Sequence, residues 1–278
     1  MSKISTRIVS RLILLFIHLS RFHYYYSSKF PSCEFLYLGV LLGMIKDYPT
    51  SELSTWHLVG RETLALAAAG LLFPFGLSRS IKRTSRKSSQ RTIVFIHGYM
   101  SNSSAFLPII AYLRAKNIKT QVLSFNYRAA NGIEKSACEL KEFLRQNVRG
   151  GTIDFVCHSL GGLVARVYLQ DLGGARRVER CITLATPHRG TYNAYWINSR
   201  VGMELRPDST LLQRIDRSEN QASKVRFTSI VAGSDNIVLP RIFASNQETI
   251  HVADMGHIGL LFSPTVFRAI VNCLKTSE

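Results

Sequence analysis

From residue 91 onward, short apolar segments alternate with longer segments in which apolar residues recur every three or four positions. Several of the short segments are nearly continuous hydrophobic runs, which is typical of parallel strands covered by helices on both faces. The pattern predicts strands at residues 92–96, 120–125, 153–157, 180–184, 225–232 and 249–252, and helices at residues 105–115, 133–148, 160–172 and 264–274. This alternation indicates an α/β fold with a mostly parallel sheet.

The third predicted strand runs into a turn that has Ser159 at its apex. Residues 157–162 read CHSLGG, so small residues surround the serine where the strand and the next helix must pass close together. This arrangement is typical of a nucleophile elbow, a strained turn that exposes a serine hydroxyl above the sheet. The usual pattern is G-x-S-x-G, and Cys157 takes the place of the first glycine. The pattern predicts Ser159 as a nucleophile.

A serine nucleophile of this kind needs a carboxylate and then a histidine later in the chain. Asp235 follows the strand predicted at 225–232, and His257 lies on the loop after the strand predicted at 249–252. We predict that Ser159, His257 and Asp235 form a catalytic triad.

Other residues compete for the acid and base positions. Asp208 and Asp216 fall in the segment 191–223, and Asp254 is only three residues before His257. His251 lies within a predicted strand, whereas His257 lies beyond one. These placements favour Asp235 and His257.

A second loop completes the predicted site. The strand at 92–96 runs into residues 97–99, which read HGY. We predict that the backbone amides of Tyr99 and Leu160 form an oxyanion hole. His97, Gly98 and His158 are predicted to line the site.

With these motifs in view, the chain resembles lipases and esterases of the α/β-hydrolase superfamily, in particular small lipases with an apolar, membrane-attached N-terminal region. The resemblance covers roughly residues 91 to 274, and the motifs that carry it are HGY at 97–99, CHSLGG at 157–162, TLATPHRG at 183–190, SDNIV at 234–238 and GHIGLLFSP at 256–264. It implies an α/β-hydrolase fold with a lid at 191–223. It also implies hydrolysis of lipid acyl esters through an acyl-enzyme, without a metal or organic cofactor.

Two other functions remain open. An acyltransferase or a thioesterase would use the same triad with a different acceptor or leaving group. An inactive hydrolase fold would serve as a membrane-bound binding module, although the intact triad argues against it.

The first ninety residues differ from the rest, so we divide the chain at residues 1–90 and 91–278. Apolar runs at 12–19, 35–45 and 64–77 are each shorter than the roughly 20 residues that cross a bilayer. Aromatic neighbours could extend them into the interface. Alternatively, they form helices that pack on the catalytic domain or lie in the membrane surface. A signal peptide is the less favoured alternative, because no A-x-A-like site follows the first run.

The positive net charge of the chain indicates an anionic binding partner. The net charge is +17, and residues 1–91 hold 13 basic and 4 acidic residues. Nothing resembles a nucleic-acid module, so we expect an anionic lipid surface rather than nucleic acid. The basic, serine-rich segment 79–91 is predicted to be a solvated linker, either at the headgroups or as a plain tether. If the chain crosses a membrane, this linker and the catalytic domain are expected on the cytoplasmic side.

Overall fold

The structure, a computed structural model, describes residues 55–77, 82–83, 91–118, 120–239 and 248–275. Thr50–Glu278 form one compact unit. The apolar runs predicted at 12–19 and 35–45 lie outside the described residues.

Within the described residues, seven strands form one sheet: β1 (Lys82–Arg83), β2 (Thr92–Ile96), β3 (Gln121–Phe125), β4 (Ile153–His158), β5 (Val178–Leu184), β6 (Arg226–Ala232) and β7 (Glu248–Val252). Their order across the sheet is β1-β3-β2-β4-β5-β6-β7. All neighbours pair in parallel except β1, which is antiparallel to β3. The predicted mostly parallel sheet is confirmed.

The α-helices in the described part of the chain are α1 (Thr55–Leu72), α2 (Leu107–Ala115), α3 (Ile133–Asn147), α4 (Leu160–Asp171), α5 (Arg200–Glu204), α6 (Thr210–Arg217) and α7 (Pro264–Lys275). Apolar side chains of α3 and α4 join one core cluster on one face of the sheet, and those of α2 and α7 join a second cluster. Helices thus cover both faces, which explains why β2 and β4 are buried along their whole length.

The N-terminal elements differ from the predicted pattern. The apolar run expected at 64–77 belongs to a helix that begins at Thr55, ends at Leu72 and continues as a 3-10 turn at Phe73–Gly76. The change of geometry falls at Pro74, which lacks an N–H and disfavours α geometry in the residue before it. Part of the predicted solvated linker is also ordered, because β1 adds to the edge of the sheet beside β3.

The segment 191–223 contains two short helices, α5 and α6, with 3-10 turns before and after them. Leu211, Leu212 and Ile215 are buried and belong to the same core cluster as α4. Arg166 of α4, itself almost fully buried, donates to Asp216 at 3.0 Å and so ties the segment to that helix. Its function as a lid stays a prediction.

Candidate active site

The turn between β4 and α4 holds Ser159 in a backbone conformation that side chains rarely adopt. Its φ is +53° and its ψ is −124°. Such a conformation costs on the order of 1–3 kcal/mol and persists only where surrounding contacts hold it. The Ser159 N–H donates to the Leu184 carbonyl at 2.8 Å, and the Thr186 hydroxyl donates to the Ser159 carbonyl at 3.0 Å. The observed turn has the geometry expected of a nucleophile elbow.

The small residues after the serine are required by close packing. A Cβ atom on Gly161 would lie 2.2 Å from the Ile96 carbonyl oxygen, and one on Gly162 would lie 2.2 Å from the Thr186 hydroxyl. Cys157, which replaces the usual first glycine, is fully buried in the core. Burial raises the pKa of its thiol, and contact with Cys181 raises that pKa further. Cys157 is therefore a protonated, space-filling residue below the turn.

Asp235 and His257 lie together, as the sequence predicted. His257 Nδ1 donates to Asp235 Oδ2 at 2.8 Å, and both side chains are almost fully buried. Asp235 Oδ1 accepts from the backbone N–H groups of Ile237 at 2.8 Å and Val238 at 2.9 Å. These three hydrogen bonds hold the carboxylate so that one oxygen remains directed at the imidazole.

The two partners have pKa values displaced in opposite directions. Burial acts to raise the pKa of Asp235, but the nearby His257 and the hydrogen bonds that the carboxylate accepts bring that pKa below its ordinary value. Burial acts to lower the pKa of His257, but the charge of Asp235 and its hydrogen bond raise that pKa above the ordinary 6.5. The pair therefore favours an imidazolium beside a carboxylate, which is the charge state that forms when a histidine accepts a proton.

The competing residues lie elsewhere. Asp208 accepts a hydrogen bond from the Tyr195 hydroxyl at 2.8 Å, and Asp216 is the partner of Arg166. His251 is exposed on β7. Asp254 lies half-buried in the turn after that strand. Asp235 is the carboxylate that contacts His257.

The loop after β2 lies directly against the elbow. A Cβ atom on Gly98 would lie 3.0 Å from the Ser159 Cβ, a tight contact that a glycine avoids. Tyr99, the next residue, is half-buried and packs on the core. Leu160 is the first residue of α4, and an amide at that position has no acceptor within its own helix. Both predicted oxyanion-hole amides therefore adjoin the serine in the chain or in space, and their function stays a prediction.

The two predicted site-lining histidines are buried and neutral. His158 Nε2 donates to the His257 carbonyl at 3.1 Å, and the two rings lie 4.9 Å apart between centroids. Burial, with His257 nearby, lowers the pKa of His158 to about 3. His97 stacks on Tyr127 with 4.4 Å between ring centroids, and burial lowers the His97 pKa to about 4. His158 thus supports the backbone of His257, while His97 holds the loop that contains Gly98.

Sequence reasoning did not identify Glu62 of α1 as part of this region. Its carboxylate accepts hydrogen bonds from the N–H groups of Ile258 and Gly259, the two residues after His257. The available signal was a single carboxylate on a helix rich in apolar residues. Among the described residues, no three His, Cys, Asp or Glu side chains are grouped so that they could hold a metal ion.

Comparison with solved structures identifies the fold. The chain is similar to the mature lipase BlEst2 of Bacillus licheniformis, with a TM-score of 0.55, 17% identity, and coverage of 71% of this chain and 98% of the lipase. An α/β hydrolase enzyme from a sediment metagenome of the Mar Chica lagoon in Morocco gives a TM-score of 0.53 at 17% identity, over 70% of this chain and 93% of the other. The chain has the α/β-hydrolase fold. The chain is also similar to a putative hydrolase of Bacillus subtilis, with a TM-score of 0.52, 15% identity, and coverage of 80% of this chain and 100% of the other.

The amino-acid sequence is similar to one protein family and to one characterised protein. Residues 76–198 match a domain of unknown function, DUF7379. The lysosomal thioesterase PPT2-B of Xenopus laevis is 23% identical over 111 residues, which cover 37% of this chain and 38% of the thioesterase. The match therefore spans well under half the length of either protein.

Proposed function

We propose that the chain is a serine hydrolase of carboxylic esters that acts on lipid acyl esters through Ser159, His257 and Asp235. The observation that carries this proposal is the buried hydrogen bond of 2.8 Å between His257 and Asp235. The serine, the acid and the histidine also occur along the chain in the order typical of α/β-hydrolases. Similarity to a lipase, to other hydrolases and to a thioesterase supports hydrolysis as the reaction class.

The chemistry follows from activation of the serine. A hydroxyl is a weak nucleophile at neutral pH, so His257 Nε2 accepts the Ser159 proton as Oγ attacks the ester carbonyl carbon. Asp235 fixes the imidazole tautomer and stabilises the imidazolium. The imidazolium then protonates the leaving alcohol, which departs and leaves an acyl-enzyme. Water, deprotonated by His257, attacks this acyl group, and the carboxylic acid is released as Ser159 recovers its proton.

The negative charge that develops on the carbonyl oxygen needs hydrogen-bond donors. We assign the amides of Tyr99 and Leu160 to this role, each contributing on the order of 3 kcal/mol to transition-state stabilisation. The close approach of Gly98 to Ser159 supports the assignment. It brings the loop that contains Tyr99 beside the nucleophile.

A lipid substrate is favoured by the N-terminal helix. Trp56–Gly76 are long and apolar enough, with a mean hydropathy of 1.4, to cross or anchor to a membrane by length and composition. The net charge of +17 would attract the helix and the catalytic domain to anionic headgroups. We propose a membrane-associated enzyme with its catalytic domain on the cytoplasmic side.

A thioesterase is the second candidate, favoured by the partial match to the Xenopus laevis protein. The same triad would cleave a thioester, because the attacking hydroxyl and the oxyanion are unchanged and only the leaving group differs. Comparing kcat/KM for an oxygen ester and a thioester with the same acyl chain decides between them. An acyltransferase would instead transfer the acyl group to an added alcohol, and an inactive binding module would hydrolyse none of these compounds.

Replacement of Ser159 tests the proposal. Ser159→Ala should lower hydrolysis of a soluble short-chain ester by roughly 10⁴-fold or more, because the nucleophile is lost. It should also abolish labelling by a fluorophosphonate probe. Ser218→Ala is the matched control, since its hydroxyl makes a long contact of 3.5 Å to the Ile215 carbonyl within the described part of the chain, and it should keep both properties. Probe labelling that persists in Ser159→Ala would show that another residue is the nucleophile.

A further inference from the structure

One side of α1 is bonded to the loop that contains the catalytic histidine. The two carboxylate oxygens of Glu62 accept hydrogen bonds from Ile258 N at 3.0 Å and from Gly259 N at 2.8 Å. Hydrogen bonds to an ionised acceptor are about twice as strong as those between neutral groups. The two donors follow His257 directly in the chain, so Glu62 fixes the backbone on which the imidazole is mounted.

The loop is shaped to receive this carboxylate. A Cβ atom on Gly256 would lie 2.3 Å from the Glu62 carboxyl carbon, and one on Gly259 would lie 2.5 Å from its Oε1. A side chain at either position would push the carboxylate out of reach of the two amides. The two glycines that flank the His257 loop therefore leave the space that Glu62 fills.

The C-terminal end of α1 is held at a second place. Asn102 Nδ2 donates to the Phe73 carbonyl at 2.9 Å, and Asn126 Nδ2 donates to the Gly76 carbonyl at 2.7 Å. Asn102 lies on the loop after β2, and Asn126 follows β3 directly. Both donors lie at the carboxyl ends of their strands, the same edge of the sheet at which Ser159 lies. The helix is thus fixed along the catalytic edge of the sheet at its middle and at its end.

The opposite side of α1 exposes large apolar residues, beside the exposed polar residues His57, Arg61 and Thr63. Its large hydrophobic side chains are 69–82% exposed, and they continue past the helix end through the 3-10 turn: Trp56, Leu64, Leu71, Phe75 and Leu77. In the helix itself, spacings of eight and seven residues place the first three of them on one side. Ala65, on the side towards the protein, is buried. A row of exposed large apolar residues beside a catalytic site marks a surface for lipid.

We propose that Glu62 is a positioning residue for His257 and that it holds α1 along the surface of an anionic lipid bilayer rather than across it. The apolar row enters the lipid while the catalytic edge of the sheet faces the membrane. This inference rests on the proposed function, because it gives Glu62 a role through His257. A helix whose middle is hydrogen-bonded to the catalytic domain cannot have lipid on all sides, as a membrane-spanning helix would. A carboxylate at its centre would also be costly in the hydrocarbon of the bilayer.

The bilayer is the partner that fits the charges. Residues 1–91 hold 13 basic and 4 acidic residues, and six of the basic ones fall between Arg79 and Arg91, just after the apolar row. Each Lys or Arg near an anionic surface contributes about 1 kcal/mol to binding. Apolar insertion and headgroup attraction therefore act on neighbouring parts of the chain.

Glu62 also acts on His257 through its charge. The titratable groups that face this histidine are Asp235 at Nδ1, His158 across the ring and Glu62 beneath the following turn. His158 is neutral, so the two carboxylates set the local field. Burial acts to lower the pKa of His257, whereas the charge of Asp235 and then that of Glu62 raise it.

The test compares Glu62→Gln with the wild type in the full chain. Glu62→Gln keeps the shape but loses the charge and one of the two acceptor oxygens, so kcat on a soluble short-chain ester should fall between about 10- and 100-fold. The acid limb of its kcat/KM profile should move to lower pH, because the charge that raises the His257 pKa is gone. Glu62→Asp, which keeps the charge on a shorter side chain, should retain the wild-type acid limb.

Thr63→Ala is the matched control for activity. Thr63 neighbours Glu62 on the exposed side of α1, and its hydroxyl bonds only to the Val59 carbonyl within the helix. It should keep the wild-type kcat and pH profile. Wild-type kcat and an unmoved acid limb in folded Glu62→Gln, with Ser159 still labelled by the probe, would overturn the role of Glu62 and leave the proposed function standing. Loss of the proposed function would instead show as wild-type labelling and turnover in Ser159→Ala. If Glu62→Gln fails to fold, wild-type kcat in folded Glu62→Asp overturns the inference, because the shorter side chain cannot keep both hydrogen bonds to Ile258 and Gly259.

A paired variant tests the orientation of α1. Leu64→Ser with Leu71→Ser should lose at least tenfold in affinity for vesicles of phosphatidylcholine and phosphatidylserine, because two apolar side chains leave the lipid. Accessibility of single cysteines placed at Leu64 and Leu71 provides the second measurement. Both should be shielded from a water-soluble thiol reagent when vesicles are bound, while a cysteine at Ala69, which is half-buried on the same side of the helix as Glu62, keeps its free-protein reactivity. Equal shielding at all three positions would mean that the helix crosses the bilayer.

Discussion

Asp235 is the residue whose surroundings were least evident from its position in the chain. Its two carboxylate oxygens have different partners: Oδ1 accepts from two backbone amides, and Oδ2 accepts from His257. Backbone donors keep the carboxylate ionised and in place even though it is buried. A buried carboxylate held in this way is a rigid support for an imidazole that, in the proposed mechanism, changes its charge in each cycle.

Removing the charge of Asp235 should therefore damage catalysis far more than folding. Asp235→Asn is expected to lower kcat by roughly 10⁴-fold, because the amide no longer selects the productive imidazole tautomer or stabilises the imidazolium. Steady-state hydrolysis of a soluble ester measures the effect, and thermal unfolding checks the fold. Asp254→Asn is the control and should stay close to wild type. A larger loss in the control than in Asp235→Asn would show that the acid has been assigned to the wrong residue.

At the scale of elements, the site depends on how closely the start of α4 approaches β2. The Gly161 Cα lies so near the Ile96 carbonyl that no side chain fits between them. This approach lets the helix begin directly beneath the serine. The same packing places the N-terminus of α4, with its partial positive charge, next to Ser159.

A methyl group at this contact should be costly. Gly161→Ala is expected to lower the free energy of unfolding by about 2 kcal/mol or more, since the clash is with backbone that cannot rotate away. It should also lower kcat, because Ser159 must move. Chemical denaturation and ester hydrolysis give the two measurements.

The control for this change is Gly70→Ala. Gly70 lies on the exposed side of α1 with open space around its Cα, so alanine there should raise helix stability by up to about 1 kcal/mol. If Gly161→Ala were as well tolerated as Gly70→Ala, the elbow would be looser than the described contacts require.

The elements that sequence reasoning predicted well are those with strong local signals. The strand bounds from 92 to 252 differ from the structure by at most two residues, because buried parallel strands are continuous apolar runs with polar ends. The elbow was predictable because its turn needs small residues at fixed spacing. Asp235 could be placed only at the end of a strand, and its contact with His257 depends on loops that no pattern specifies.

Two features were missed for physical reasons. β1 has two residues within a basic, serine-rich segment, and its pairing depends on the exposed edge of β3 rather than on its own apolar character. Glu62 was not identified because it lies just before the apolar run predicted at 64–77, for which contact with a membrane and packing on the catalytic domain were both open. The partners of its carboxylate lie nearly two hundred residues away in the chain, and a contact at that separation produces no pattern in the local sequence.

At the scale of the whole molecule, charge and apolar surface lie on the same part of the chain. The proposed binding mode combines insertion of the exposed residues of α1 with attraction between basic residues and anionic headgroups. The first term does not depend on salt, whereas the second weakens as the Debye length shortens.

Vesicle binding should therefore have two separable components. Raising NaCl from about 0.05 to about 0.5 M should weaken binding to vesicles that contain phosphatidylserine and should leave weak binding to pure phosphatidylcholine almost unchanged. Co-sedimentation at several salt concentrations measures both. Hydrolysis of a soluble ester over the same range is the control, because Asp235 and His257 are buried and should respond little to salt. Salt-insensitive binding to anionic vesicles would contradict the electrostatic part.

The buried thiols beneath the elbow have a further consequence. Cys157 and Cys181 lie on adjacent strands at the centre of the sheet, fully screened from water, whereas Cys138 is exposed on α3. A thiol inside a packed core reacts with an alkylating reagent only while the core is open. The rate at which these two cysteines are alkylated is therefore a measure of how often the catalytic domain opens, with Cys138 recording the intrinsic reactivity of an exposed thiol. The cysteine at the position of the first elbow glycine thus gives the chain an internal reporter of its own opening, two residues before Ser159.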